Sequence, residues 1–256
     1  MYRILTCWFA FIIISTTFVI AQDEDDEPLP PPKHSLATKI GGAIGFTQGY
    51  LFLNLDPINQ IMRKENLAEF DSRGLFMLGG QGYAYVMFVP NLRVGYINMG
   101  GHMRSRTLDP STKIVREVEL SVGYSGATFD YTIPVAPRVD VSLGMLLGAG
   151  NMDLNFTRNN GLPQQWDSTW NNFGANTPVD NYSGKLSGSF FIYQPSLNVE
   201  VAVLRWLGVR AGVSYLGMSG NNWKRDDKYD LFGVPDEVSG KGWMFNSGIF
   251  VGTFVF

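Results

Sequence analysis

From residue 39 onward, apolar and polar residues alternate with a period of two, in eight segments separated by short and long interruptions. Period two is the signature of a β-strand, whose successive side chains point to opposite faces. The pattern predicts strands over Lys39–Asn54, Leu75–Phe88, Leu92–Arg104, Arg116–Thr132, Arg138–Thr157, Lys185–Leu204, Leu207–Ser219 and Gly242–Phe256. The last is the plainest: it carries no charge and no proline. Phe250, Phe254 and Phe256 fall on one register, and Ile249, Val251 and Val255 on the other. A strand this apolar must be paired on both edges or it aggregates, so it should close a barrel against the first strand. One stretch has a different period. Ile58, Ile61, Met62 and Phe70 lie roughly on one face of a helix over Pro57–Phe70, with Pro57 suited to its first turn.

The connections alternate in length. Leu55–Gly74, Ser105–Val115, Arg158–Gly184 and Gly220–Lys241 are long; Val89–Asn91, Ile133–Pro137 and Arg205–Trp206 are short. Membrane barrels have an even number of antiparallel strands, short periplasmic turns and long outer loops. The competing reading is a soluble eight-stranded barrel of lipocalin type, apolar within and polar without. The faces decide between them. In the sixth strand, Phe191, Tyr193, Leu197, Val199, Val201 and Val203 alternate with Ile192, Gln194, Ser196, Asn198, Glu200 and Ala202. In the fourth, Val118, Leu120, Val122 and Tyr124 alternate with Glu117, Glu119, Ser121 and Gly123. The second face is rich in Gly and Ser, as suits a crowded lumen. We therefore expect an all-β fold: an eight-stranded antiparallel up-and-down transmembrane β-barrel over residues 39–256, with a short helix in its first outer loop.

Composition adds the flanking segments. Residues 1–21 read as a signal peptide, with Arg3, an uncharged apolar run and Ala21 at the expected cleavage point. Residues 22–38 are acidic and proline-rich, an extended periplasmic linker. The sole cysteine, Cys7, lies in the leader, so disulfides are not expected in the mature chain. A net charge of −3 leaves no basic footprint for nucleic acid.

The polar face places Arg93, Glu117, Glu119, Asp140, Glu200 and Arg210 in the lumen. A tight turn centred on Arg205 sets Glu200 opposite Arg210, a favourable cross-strand pair. Charges in a narrow interior must be paired or wet. Eight strands enclose room for side chains or one small ligand. A salt-bridged plug is therefore expected, and a gated polar path is the alternative.

The terminal Phe with alternating aromatics resembles the C-terminal signal of bacterial outer-membrane barrels, although Val251 stands where that signal usually has Gly. Topology, loop asymmetry and this signal together resemble the eight-stranded OmpA transmembrane-domain, OmpX and OmpW families over Lys39–Phe256. The resemblance implies the bacterial outer membrane, contact with membrane lipids, and recognition of Phe250, Phe254 and Phe256 by the barrel-assembly machinery. No peptidoglycan-binding domain follows Phe256, so a wall anchor of OmpA type is not expected. Such families serve structural, adhesion or defence roles, carry small hydrophobic ligands and, less often, act as enzymes.

An enzyme would need a base near a nucleophile. His102 is followed by Ser105 and Asp109, but an odd separation puts His102 and Ser105 on opposite strand faces, so no enzyme is expected. The outer loops offer Trp166, Trp170, Phe173, Tyr182, Trp223 and Tyr229 as contacts to a surface protein or glycan. The acidic residues near Asp226 lack calcium-loop spacing, and neither a metal nor another cofactor is expected. The expected function is structural or surface-interacting, with a small-hydrophobic-ligand carrier or channel as the alternative.

Overall fold

The computed structural model describes residues 41–254, apart from 72, 160–165, 168–180, 236 and 239, and omits the side chain at 221. The signal-peptide and linker expectations, and Phe256, therefore lie outside the described residues. The elements are β1 (Gly42–Leu53), α1 (Asp56–Lys64), β2 (Leu75–Tyr85), β3 (Leu92–Leu108), β4 (Val115–Ala136), β5 (Val139–Asn159), β6 (Tyr182–Leu204), β7 (Leu207–Arg225), a two-residue β8 (Tyr229–Asp230) and β9 (Gly242–Gly252). Each long strand pairs antiparallel with its neighbours, and β9 pairs with both β7 and β1, closing a ring of eight. Among the described residues only β8 stands outside it, added to the outer end of β7.

The outward face carries an apolar belt. On β6 every outward residue from Phe191 to Val203 is apolar, and the next ones outward, Ser189, Ser187 and Lys185, are polar. At about 3.3 Å per residue and a tilt of about 40°, that run spans roughly 30 Å, the height of a hydrocarbon layer. Ile44, Phe46, Tyr96, Phe129, Leu143, Leu147, Phe245 and Ile249 continue it around the barrel, all exposed. A lipocalin-type barrel would show polar side chains there. The short turns and the ends of β1 and β9 lie together at the lower rim.

The walls are unequal. β3 to β7 have 17–23 residues, whereas β9, β1 and β2 have 11 or 12. The long strands rise beyond the belt, and the chain after β1 folds over the short side as α1. Asp56 in the first turn and Arg63 and Lys64 in the last complement the helix dipole. The helix stops six residues before the expected Phe70. Asn66 takes φ 55°, and the Leu67 amide returns to the Met62 carbonyl at 2.8 Å. Phe70 is nevertheless buried. The Asn59 side chain holds its backbone from both sides, accepting from Phe70 N at 2.9 Å and donating to Phe70 O at 3.2 Å.

The interior changes character with height. The lower lumen is lined by Thr128, Asp130, Thr132, Ser142, Asn198 and Arg210; above it Tyr124, Leu120, Met152, Ile192, Met218 and Met244 form one apolar core capped by Ile58 and Met62 of α1. This corrects the reading of β4. Val118, Leu120, Val122 and Tyr124 face the interior, and Glu117 and Glu119 face outward. Parity along β4 never changes, since Phe129, Tyr131 and Ile133 share the outward face with the two glutamates. The surroundings change instead: outside is lipid below and water above, and inside is polar below and apolar above. Glu117 and Glu119 meet Arg104 of β3, with Glu119 hydrogen-bonded to its Nε.

Candidate functional site

Two sites emerge, one in the lower lumen and one at the outer end. In the lower lumen six strands send side chains to one point. Glu200 of β6 lies opposite Arg210 of β7, as the turn arithmetic requires. Arg210 donates to Glu200 Oε2 from Nη2 at 2.6 Å and from Nε at 2.9 Å. Arg93 crosses from β3 and puts Nη2 3.0 Å from Glu200 Oε1 and 3.2 Å from Asp140 Oδ2. Tyr83 of β2 donates its hydroxyl to Glu200 Oε1 at 2.9 Å. Its ring lies between the two guanidiniums, 4.5 Å from Arg93 and 4.9 Å from Arg210. Phe250 of β9 packs its ring 4.5 Å from Arg210. Carboxylate, phenol and ring faces thus offset much of the penalty that low-dielectric burial places on the two cations, although Nε and Nη1 of Arg93 have no hydrogen-bond partner and its guanidinium lies over the rings of Tyr83 and Tyr85.

Of the six charged residues assigned to the lumen, the structure brings Arg93, Asp140, Glu200 and Arg210 together and excludes Glu117 and Glu119. Sequence reasoning missed Tyr83, Phe250 and Asp130. Asp130 was legible, since it shares parity with Thr128 and Thr132 in mid-strand. Its carboxylate sits against Gly144, where a Cβ would fall 2.1 Å from Oδ1. It borders a void of about 30 Å³ also lined by Gln81, Gln194, Asn198 and Asn246, which has room for one water. Phe250 belongs to the expected C-terminal insertion signal, for which no face is specified. It is fully buried in the lumen, and Phe254 packs beside it; the lipid face of β9 is Trp243, Phe245, Ile249 and Val251.

At the outer end, a cleft of about 600 Å³ opens between α1, the tall wall, residues 231–235 and Val238. Its lining is mostly aliphatic and aromatic, and Glu65, Arg116 and Arg158 are its charged members. Trp223, expected as a loop contact, is instead buried in β7 and stacks edge-on against Phe190 at 5.9 Å. β7 runs to Arg225, past the expected Ser219, because its inner face continues the apolar wall. Trp166, Tyr182 and Tyr229 are exposed, Tyr182 at the outer end of β6 and Tyr229 in β8. Trp170 and Phe173 lie outside the described residues.

The residues weighed for catalysis do not meet. His102 points outward, while Ser105 points inward and donates to the Ala68 carbonyl. Asp109 lies in the β3–β4 turn and accepts from the Ser111 hydroxyl at 2.6 Å and the Ser111 amide at 2.9 Å. These bonds, the hydroxyl first, hold its carboxyl down to about 2.

The architecture is a closed eight-stranded antiparallel β-barrel with an apolar belt on its outer face. No protein-family model and no curated protein matches the chain. Among solved structures it is similar to Neisserial surface protein A, at 10% identity and a TM-score of 0.44, over 84% of this chain and 97% of that one. It is similar to a major outer membrane protein of Thermus thermophilus at 8% identity and a TM-score of 0.43, over 84% and 99%. A third is the attachment invasion locus protein of Yersinia pestis, solved with the heparin analogue sucrose octasulfate, at 13% identity and a TM-score of 0.36, over 84% and 97%.

Proposed function

We propose that this protein is a bacterial outer-membrane barrel with a structural or surface-interaction role, working through its outer end and not as an open pore. The observation that carries the reading is the double closure of the interior. The Arg93–Glu200–Arg210 plug fills the lower lumen, and the apolar core under α1 fills the upper. An ion path would have to cross both a fixed charge cluster and a dry layer. The partners that suit it are membrane lipids around the belt, the barrel-assembly machinery during insertion, and a surface protein or glycan at the exposed Tyr182 and Tyr229. The leader would be removed near Ala21. The separation of His102 from Ser105 supports a non-enzymatic role.

The test is conductance of the folded full-length protein in planar bilayers. Silence is expected at wild type; a steady ohmic current would overturn the reading. A second reading, a carrier of small hydrophobic molecules, is favoured by the outer cleft. The closed lumen beneath it supports holding a ligand there over passing one across the membrane.

A further inference from the structure

We propose that the outer cleft binds one small uncharged molecule, in chemical class an apolar carbonyl compound, whose oxygen accepts a hydrogen bond from the indole N–H of Trp223. The inference rests on the carrier reading of the outer cleft and adds the ligand class and the residue that selects it. Three observations carry it.

The first is a donor without a partner. Trp223 lines the cleft and is 3% exposed, and its Nε1 makes no hydrogen bond within the protein. A buried donor left unmet carries a desolvation penalty, which an acceptor brought to it removes. The indole is held in place. Gly188 stands opposite it in register, and a Cβ there would fall 2.8 Å from Trp223 Cε2. Phe190 packs against it edge-on, and the Trp223 carbonyl accepts from the Leu231 amide at 2.9 Å. A lone donor in an apolar wall suits a carbonyl oxygen, which accepts and has no proton of its own; a hydroxyl or an amide would bring a further donor to satisfy.

The second is where the charge lies. On the β4–β5 ladder Val118 pairs with Phe156, and Arg116 with Arg158 one step nearer the rim; Glu65 ends α1 and is exposed. Arg158 already has an interaction partner within the protein. The charged residues therefore stand at the mouth, and the apolar wall beneath them penalises a charged ligand. The third is size and the state of the rim. Pockets of about 300–1,000 Å³ with mostly apolar walls and a few polar groups are those that hold small ligands, and this cleft has about 600 Å³. Ile61 on α1 is 50% exposed and Phe232 is 90% exposed, although both border the cleft. A bound molecule would cover them.

The test titrates methyl naphthyl ketone, and isopropylnaphthalene in which a methyl group replaces the ketone oxygen, into the folded full-length protein in a non-ionic detergent. Affinity is read by calorimetry against detergent alone, and the hydrogen bond by the NMR resonance of the Trp223 indole N–H. Wild type is expected to saturate at one ketone per chain, with the resonance moved downfield by the ketone relative to the hydrocarbon. Trp223→Phe should weaken the ketone about fivefold and leave the hydrocarbon unchanged. Ile61→Glu, at an exposed position, should weaken both. Retention of the compact form on unheated gels shows that each variant is folded; if Trp223→Phe loses it, the wild-type resonance decides alone. No saturable ketone binding, a Trp223 resonance that answers both ligands alike, or a folded Trp223→Phe that weakens both equally would each overturn the proposal. If ketone and hydrocarbon both saturate wild type without these differences, the carrier reading stands and this ligand class falls. If neither binds, the carrier reading falls with it, and the surface-barrel reading is still decided by the bilayer conductance.

Discussion

Replacing Glu200 by Gln keeps the side-chain shape and removes the single charge that two buried arginines share. Arg210 directs both its Nε and Nη2 to Oε2, while Arg93 and the Tyr83 hydroxyl meet Oε1. A glutamine offers one acceptor oxygen, and its NH₂ would present donors to groups that are themselves donors. Arg93 would keep Asp140 at 3.2 Å, but Arg210 would be left against the faces of Tyr83 and Phe250. Removing one partner of a buried ion pair costs about 3–5 kcal/mol, and because Arg93 retains a carboxylate we expect the lower end, about 3 kcal/mol. The assay is urea unfolding of the protein in lipid vesicles, followed by tryptophan fluorescence. A double-mutant cycle with Arg210→Met should return a coupling of about 2 kcal/mol or more, since the two side chains touch. A loss below about 1 kcal/mol for Glu200→Gln, or strict additivity in the cycle, would mean that water screens the cluster and that the plug is held by something else.

The inverted polarity of β4 is tested by Leu120→Ala, which removes a fully buried core side chain. It should cost about 2–5 kcal/mol, while Glu119→Leu should change stability by no more than about 0.5 kcal/mol; the reverse order in the same urea assay would restore the lumen assignment of Glu119. Gly144→Val places a branched side chain where even a Cβ meets Asp130 and Ser196 at 2.1 and 2.6 Å, and a loss of about 1–3 kcal/mol in urea is expected from overpacking. The Asp109 carboxyl is depressed by folding, so its stabilising effect on the β3–β4 turn is present above the ordinary value of 3.8 and is lost as pH falls toward about 2. A carboxyl-carbon NMR titration reads this directly, and a midpoint at the ordinary value would contradict the turn geometry.

Strand count, order, hairpin register and closure were legible because each rests on a period-two pattern and on loop lengths, both local properties of the chain. Glu200 opposite Arg210 needed only the position of one tight turn. The faces of β4 were not legible by the same means. Alternation reports that two faces differ, and it is silent on which solvent each one meets. On β6 lipid lies outside along the whole apolar run from Phe191 to Val203, so the bulky face was assigned correctly. On β4 the apolar run Val118–Tyr124 lies above the belt, where the rule reverses. Length carried the missing signal: the expected segment Arg116–Thr132, of 17 residues, already exceeds the 9–11 that a tilted strand needs to span a bilayer. Trp223 was misread for a related reason, since a tryptophan beside Asn and Lys resembles a loop residue until the wall is known to continue past the membrane. The arrival of Tyr83 and Phe250 at the arginines depends on ring closure, which no single strand encodes.

The unequal walls give this molecule two solvents and therefore two thermodynamic characters. The belt exchanges lipid for detergent with little change in the water exposed. The core between α1 and the tall strands, with Leu120, Met152, Met218 and Met244 at its centre, obeys the rules of a water-soluble domain. Its burial should dominate the heat capacity of unfolding, because apolar groups of the belt stay in hydrocarbon or micelle while those beneath α1 become hydrated. A calorimetric trace should therefore look like that of a small globular protein mounted on a barrel. The cap should also loosen on cooling, when apolar burial weakens, before the hydrogen-bonded wall below it responds.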